Sequence, residues 1–256
     1  MLKSTKIKIL VTACVIGGAF VVWNFTGVGQ SSEKRAERLF KKAESTFRKD
    51  NAEQKTIATL EKALALNPYH EEAHLMLGVI YELGQYRDNR KAEEQYRLAL
   101  KTNPNNVRAN FFIGRLYSSI GAYKEAIPFL EKATKSDQKT HAHFLLGQIH
   151  IEAKKWMEAK REINLGIHKF PDDGWGYALL GKLLVWEGND AEAILNFEKA
   201  LRIEIGLYGH VIEAGSIYEE RGQYEKAIAL YKRALKIVRT NPLEDALKNA
   251  EAKLPK

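Results

Sequence analysis

From about residue 37 to residue 241, apolar, small and aromatic residues return in one register each time the chain is advanced by about 34 positions. The clearest copy reads Ile113-Gly114, Tyr117, Gly121, Tyr123, Ala126, Leu130, Ala133. The same frame recurs as Leu77-Gly78, Tyr81, Gly84, Tyr86, Ala92, Tyr96, Ala99-Leu100, Pro104, and as Ala214-Gly215, Tyr218, Gly222, Tyr224, Ala227, Tyr231, Ala234-Leu235. Two further copies read Leu146-Gly147, His150, Trp156, Ala159, Ile163, Pro171 and Leu180-Gly181, Leu184, Gly188, Ala193, Phe197, Ala200-Leu201. Within a copy, the large, small and aromatic positions fall on one side of a first helix, and the small residue lets another helix approach. Glycines such as Gly121 and Gly222 then break the helix, because glycine takes a positive φ cheaply. A second helix follows, with an apolar face notched by two alanines. No copy can bury such a face alone, so stacked neighbours must bury it together.

Period and pattern resemble the tetratricopeptide repeat, a helix-turn-helix unit, over roughly Glu37 to Asn241. The resemblance implies an all-α fold: a right-handed superhelix (α-solenoid) of about six such units. A sixth copy at the front, with Leu39, Phe40, Ala43, Phe47, Leu60, Ala63-Leu64 and Pro68, lacks the glycine signals and is degenerate. The second copy carries extra residues around Arg87 to Arg90, which predicts a longer inter-helix turn, and Gln138 and Ile205 replace the terminating proline in two copies. The expected units are 36–70, 71–106, 107–140, 141–173, 174–207 and 208–241. Residues 242–256 form a capping helix, in which Asn241 caps, Pro242 takes the first position, and Leu243, Ala246, Leu247, Ala250 and Leu254 form one apolar stripe. Glu244 and Asp245 complement its N-terminal dipole.

Ahead of the array, a basic tail (residues 1–8, with Lys3, Lys6 and Lys8) precedes a stretch without charge that ends at Glu33. Its apolar part, residues 9–28, is long enough for the roughly 17–25 residues of a transmembrane helix and reads as a signal anchor followed by a linker, 29–35. Cleavage near Gly27-Val28-Gly29 and lipidation at Cys14, the sole cysteine, in Val11-Thr12-Ala13-Cys14, are the alternatives. The order of charge then apolar core favours an extracytoplasmic (periplasmic) array. Lys34, Arg35, Arg38, Lys41 and Lys42 just after the segment keep a cytoplasm-facing array open.

The charge balance, 40 basic against 32 acidic residues and +8 overall, is a mild excess. No basic block interleaves with aromatics as a nucleic-acid groove requires, so no nucleic-acid partner is expected. Nor does the chain contain a Walker loop, an HExxH, a CxxC or a Gly-x-Ser-x-Gly elbow, so neither enzymatic activity nor a cofactor is expected. His141 and His143 point about 200° apart on a helix and cannot share a metal, whereas His143 and His150 share a face. They stand at core positions and read as packing residues, with a metal site or a pH sensor as the alternative.

If no chemistry is present, function lies in what the first-helix face can hold. In the resembled family, ligand contacts come from first-helix positions turned away from the packed seam. The matching residues here are Leu75, Met76 and Val79; Phe111, Phe112 and Arg115; Phe144, Leu145, Gln148 and Ile151; Trp175, Leu179, Lys182, Val185 and Trp186; and Ile212, with Glu213, Ser216 and Glu219 beside it. Their apolar majority predicts an amphipathic helix or extended apolar segment as ligand, with Trp175 and Trp186 as hot spots. The family's carboxylate clamp is not expected, because Glu72, Met76, Arg108, Phe112, His141, Leu145, Trp175 and Leu179 occupy its positions and only Arg108 could serve. These readings describe a membrane-anchored scaffold that binds a partner protein or peptide and meets the lipid bilayer through its N-terminal helix. The alternative is a permanent structural subunit of a membrane complex, including self-association through the groove or convex face.

Overall fold

A computed structural model describes residues 27–254, apart from 51, 86, 137 and 139. The described residues are helical throughout, without a strand, and run as α1 (Gly27–Asp50), α2 (Glu53–Leu66), α3 (Glu71–Leu83), α4 (Asn89–Thr102), α5 (Val107–Ser119), α6 (Tyr123–Thr134), α7 (Ala142–Glu152), α8 (Trp156–Lys169), α9 (Gly174–Glu187), α10 (Asp190–Ile203), α11 (Tyr208–Glu220), α12 (Tyr224–Leu235) and α13 (Asn241–Ala252). A short 3₁₀ turn, Ile205–Leu207, stands between α10 and α11, where proline is missing from the repeat. The expected anchor, 9–28, lies outside the described residues except for its last two, as do Lys3, Lys6, Lys8 and Cys14. Residues 29–35, read from the sequence as a linker, belong to α1. Among the described residues no helix is long and apolar enough to cross a membrane.

The chain forms two compact units that divide between Thr102 and Asn103. In the first, the degenerate front copy folds as α1 and α2, and Ala43 and Leu60 pack with Ala73, Leu77 and Ile80 of α3 in one core. Phe40, Phe47 and Leu64 close its edge. The second unit stacks α5 to α13 around cores that include Leu130, Ile149, Ile163, Leu183, Phe197 and Tyr231.

In the repeats from α3 onward, the glycine of the first helix meets the large residue of its own second helix. A β-carbon on Gly114 would strike Leu130, on Gly147 Ile163, on Gly181 Phe197 and on Gly215 Tyr231, always sixteen positions later. In the second copy the partner of Gly78 is Tyr96, two positions further on, which absorbs the longer turn from Leu83 to Asn89. Asp88 caps α4 there, its carboxylate accepting the Lys91 N–H at 3.0 Å.

Seven positions after the small residue, Gly121, Gly188 and Gly222 take φ of 76°, 78° and 68°. The fourth copy has no glycine at this offset, yet Lys154 adopts φ 56° in its place. Register thus imposes the left-handed turn even where the residue is unsuited to it. At the far end the capping helix forms, with Leu243 and Ala250 fully buried and Ala246, Leu247 and Leu254 packed against the same core. Its start differs from the sequence reading: Asn241 is the first helical residue and Thr240 holds the N-cap position without a side-chain cap. Proline at the first turn fixes φ and already removes one of the unpaired donors, so a side-chain cap is less needed.

Replacing Lys154 with glycine is expected to raise stability by up to about 1 kcal/mol, by removing the left-handed strain. Gly215→Ala should cost about 1–3 kcal/mol through overpacking against Tyr231. Urea unfolding followed by circular dichroism checks both, and equal small effects at the two positions would contradict this account.

Candidate functional site

The first helices α7, α9 and α11 lie side by side in the second unit, and burial on all sides of α7 and α9 leaves little of their circumference free. Of the candidate groove residues, Leu75, Phe144, Leu145, Ile151, Leu179 and Val185 are buried rather than displayed. The reason is that a first helix inside the stack packs against its own second helix and against a first helix on either side, so apolar residues all round it are consumed. Phe144 illustrates this: it fills the space left by Gly166 and Gly176 and meets Trp175 edge-on at 5.5 Å.

Half-buried positions remain. Met76 and Val79 stand on α3 in the first unit, with Met76 packed against its core. On α5, Phe111 leans on the core formed by α6 and α7, while the guanidinium of Arg115 lies 5.7 Å from the Phe111 ring and 5.0 Å from that of Phe112. Gln148 and Ile212 are also half-buried. Trp175 is pinned at the start of α9, where the Asp173 carboxylate accepts its backbone N–H at 2.8 Å. His141 stacks on Phe170 at 4.8 Å and bonds the other oxygen of Asp173 at 2.8 Å. His143 turns the other way, its Nδ1 2.8 Å from Glu162 Oε2, so the two histidines diverge as the helical spacing requires.

Glu162 is buried, and burial opposes its charge, but hydrogen bonds from His143 and Arg161 hold its pKa below the usual carboxylate range. His150 keeps Nδ1 buried without a hydrogen-bond partner, and burial lowers its pKa. His143 is therefore more than a packing residue: it is half of a buried polar pair that ties α7 to α8. Among the described residues no group of three or more histidine, cysteine, aspartate or glutamate side chains could hold a metal.

Three candidate residues, Ile151, Lys182 and Trp186, meet around one cleft of about 240 Å³, together with Glu213 and Ser216. Lys182 forms its floor. Its side chain is only 7% exposed, and the ammonium reaches Glu152 Oε1 on α7 at 3.1 Å and Glu213 Oε1 on α11 at 2.6 Å, so one side chain of α9 bridges both neighbouring first helices. Burial works against the Lys182 charge, yet the two carboxylates raise its pKa above the ordinary lysine value. Glu213 is held down at about 2 by His210, whose Nδ1 stands 3.7 Å away, and by Lys182, against the opposing effect of burial.

Trp186 stacks on Trp156 at 5.6 Å, and the Arg221 guanidinium covers it at 4.5 Å. Trp156, Glu152 and Glu220 line this cleft but were not among the sequence candidates. The signal for them was faint: Glu152, Lys182 and Glu213 are 30 and 31 positions apart, about one helical turn short of the repeat, which lays them diagonally across stacked helices.

Comparison with known proteins follows the same lines. Sequence profiles described as "Tetratricopeptide repeat" match residues 85–143 and 121–183, and one described as "TPR repeat" matches 215–243. Anaphase-promoting complex subunit 3 of Schizosaccharomyces pombe is 27% identical over 186 residues, covering 72% of this chain and 25% of that protein. The chain thus spans about a quarter of the length of that relative. Among solved structures, Pseudomonas aeruginosa pilF superposes with a TM-score of 0.67 at 17% identity, covering 88% of this chain and all of that one. PilW, described as a widely conserved type IV pilus biogenesis factor, superposes with a TM-score of 0.63 at 17% identity, covering 88% and 99% of the two chains.

The Glu213 carboxyl is lowered in the folded chain from an ordinary value of 4.5 to about 2. Its contribution to stability is therefore complete above about pH 5 and falls away as pH drops toward 2. The stability gap between the unaltered chain and Glu213→Gln, measured by urea unfolding, should be widest near neutrality and narrow progressively below about pH 5. A gap that stays constant with pH would mean that Lys182 and His210 do not hold this carboxylate in its ionised form.

Proposed function

Because the chain belongs to the tetratricopeptide repeat family, we propose that it is a non-enzymatic scaffold that binds a partner protein, through an apolar or amphipathic segment, on its first-helix face. The observation that carries this reading is the open cleft between α7, α9 and α11, where half-buried Trp186 stands beside polar groups that can orient a ligand. Half-buried Phe111 and Phe112 extend an apolar character along the first helices of the same unit. We further propose that the apolar segment 9–28 tethers the chain to a bilayer and that the repeats lie on the extracytoplasmic side, where they hold components of an envelope assembly together. The likeness to PilW, named as a pilus biogenesis factor, agrees with such a place but at 17% identity speaks only for the fold.

A second reading, a permanent subunit of a large complex, draws on the relative that is itself named as a complex subunit. One experiment separates the two. With a photoreactive residue at Ser216, which lines the cleft, and a control at Met157 on α8, 83% exposed, crosslinking in membranes should capture one protein from Ser216 alone. That capture should be competed by the unlabelled chain and lost when the membranes are washed gently before irradiation. Capture at fixed stoichiometry even when detergent washing precedes irradiation, or capture of a second copy, would replace the scaffold with the subunit. Equal capture from both positions would remove the first-helix face as the binding surface.

A further inference from the structure

The structure assigns the cleft between α7, α9 and α11 as a receptor for one cationic side chain, arginine or lysine, carried by the docking segment. This rests on the reading just given and adds its chemistry. The cleft is about 240 Å³, below the roughly 300–1,000 Å³ of sites that enclose a small molecule, so it takes a single long side chain. Its apolar wall includes Trp156, against which the aliphatic stem of such a side chain can lie while the charged head meets the carboxylates.

The charges choose the head group. Glu152, Glu213 and Glu220 line the cleft, against the two ammonium groups of Lys154 and Lys182. Lys182 is already matched by two carboxylates, and it shows that this donor set holds a cation out of water. An ionised carboxylate offers about four acceptor positions, and Lys182 engages one oxygen of each. The second Glu213 oxygen faces His210 at 3.7 Å, beyond direct hydrogen bonding, and so retains acceptor capacity. Glu220 makes no ion pair or hydrogen bond with any described residue. Arg221 does not supply the missing cation, because its guanidinium lies on Trp186 and its Nη1–H donates to the Val185 carbonyl at 3.1 Å.

The competing occupants fare worse. An incoming carboxylate would meet three carboxylates against two ammonium groups, of which that of Lys182 is already paired. A purely apolar side chain would take Glu220 out of water with nothing to compensate it. A guanidinium or ammonium instead satisfies the spare acceptors through charge-assisted hydrogen bonds.

The chain's four tryptophans make this testable by fluorine NMR on the full chain labelled with 5-fluorotryptophan, each resonance assigned by a Trp→Phe variant. The probes are Nα-acetyl-arginine amide, its neutral isostere Nα-acetyl-citrulline amide, and Nα-acetyl-glutamate amide. Arginine amide should shift the Trp156 and Trp186 resonances saturably and leave Trp175 unmoved, with citrulline amide about tenfold weaker or more. Glu220→Gln, which removes no internal contact, should weaken arginine amide several-fold while the unfolding midpoint stays put. Equal response to arginine and citrulline, preference for the glutamate probe, no saturable shift at millimolar concentration, or an unchanged affinity in Glu220→Gln would each overturn the assignment. Failure here with partner capture from Ser216 intact removes only the cation receptor. Loss of capture with arginine binding intact removes the scaffold reading instead.

Discussion

One steric fit governs this fold: in every repeat after the degenerate front copy, a glycine on the first helix admits a bulky side chain from the second helix of its own repeat. The β-carbon that is missing at Gly114, Gly147, Gly181 and Gly215 is the volume that Leu130, Ile163, Phe197 and Tyr231 occupy. Because interiors are packed to crystal-like density, even one methyl group there forces a shift. The fit sets the spacing of the two helices, and that spacing sets where the turn between them must reverse. Hence the left-handed residue at a fixed distance, taken by glycine three times and by Lys154 once. The longer turn after Leu83 leaves the fit intact, since Tyr96 simply moves along the sequence to meet Gly78.

The same packing explains what can be displayed. A first helix within the stack is covered on several sides, so most apolar residues on α7 and α9 are interior, whatever their angular position. Polar groups on these helices then pair inside the stack, His143 with Glu162 and Lys182 with Glu152 and Glu213, while His150 Nδ1 stays buried without a partner. Each pair crosses from one helix to another. Such links contribute little net stability after desolvation, but an unpaired member would be costly, so they disfavour any register in which the partners part.

The helices, the glycine fits and the apolar stripe of α13 were legible in the sequence, because periods of about 3.6 and 34 residues leave direct marks on residue type. The N-cap of α13 was misplaced by one residue, as helix ends often are where proline substitutes for a side-chain cap. The face of the first helices was the harder part. α7 and α9 carry apolar residues all round, so nothing in their pattern distinguishes Phe144 and Val185, which are buried, from Trp186, which is half exposed. Exposure there is decided by neighbouring repeats, not by the helix itself. The cleft charges were partly hidden for a related reason: register placed Lys182 and Glu213 at the groove, but Glu152 and the pairing of all three emerge only when three helices are laid side by side.

That origin gives the cleft a property that no single repeat has. Its floor is a lysine from one repeat and its walls are carboxylates from the repeats before and after, so it exists only while three successive repeats are stacked. In an array whose stability is a sum of repeat and nearest-neighbour terms, a ligand that needs all three first helices binds only the stacked form and thereby strengthens both interfaces. Binding and the order of the stack are then one equilibrium. Lys182, placed at the centre with both partners half exposed, is the residue through which the two are coupled.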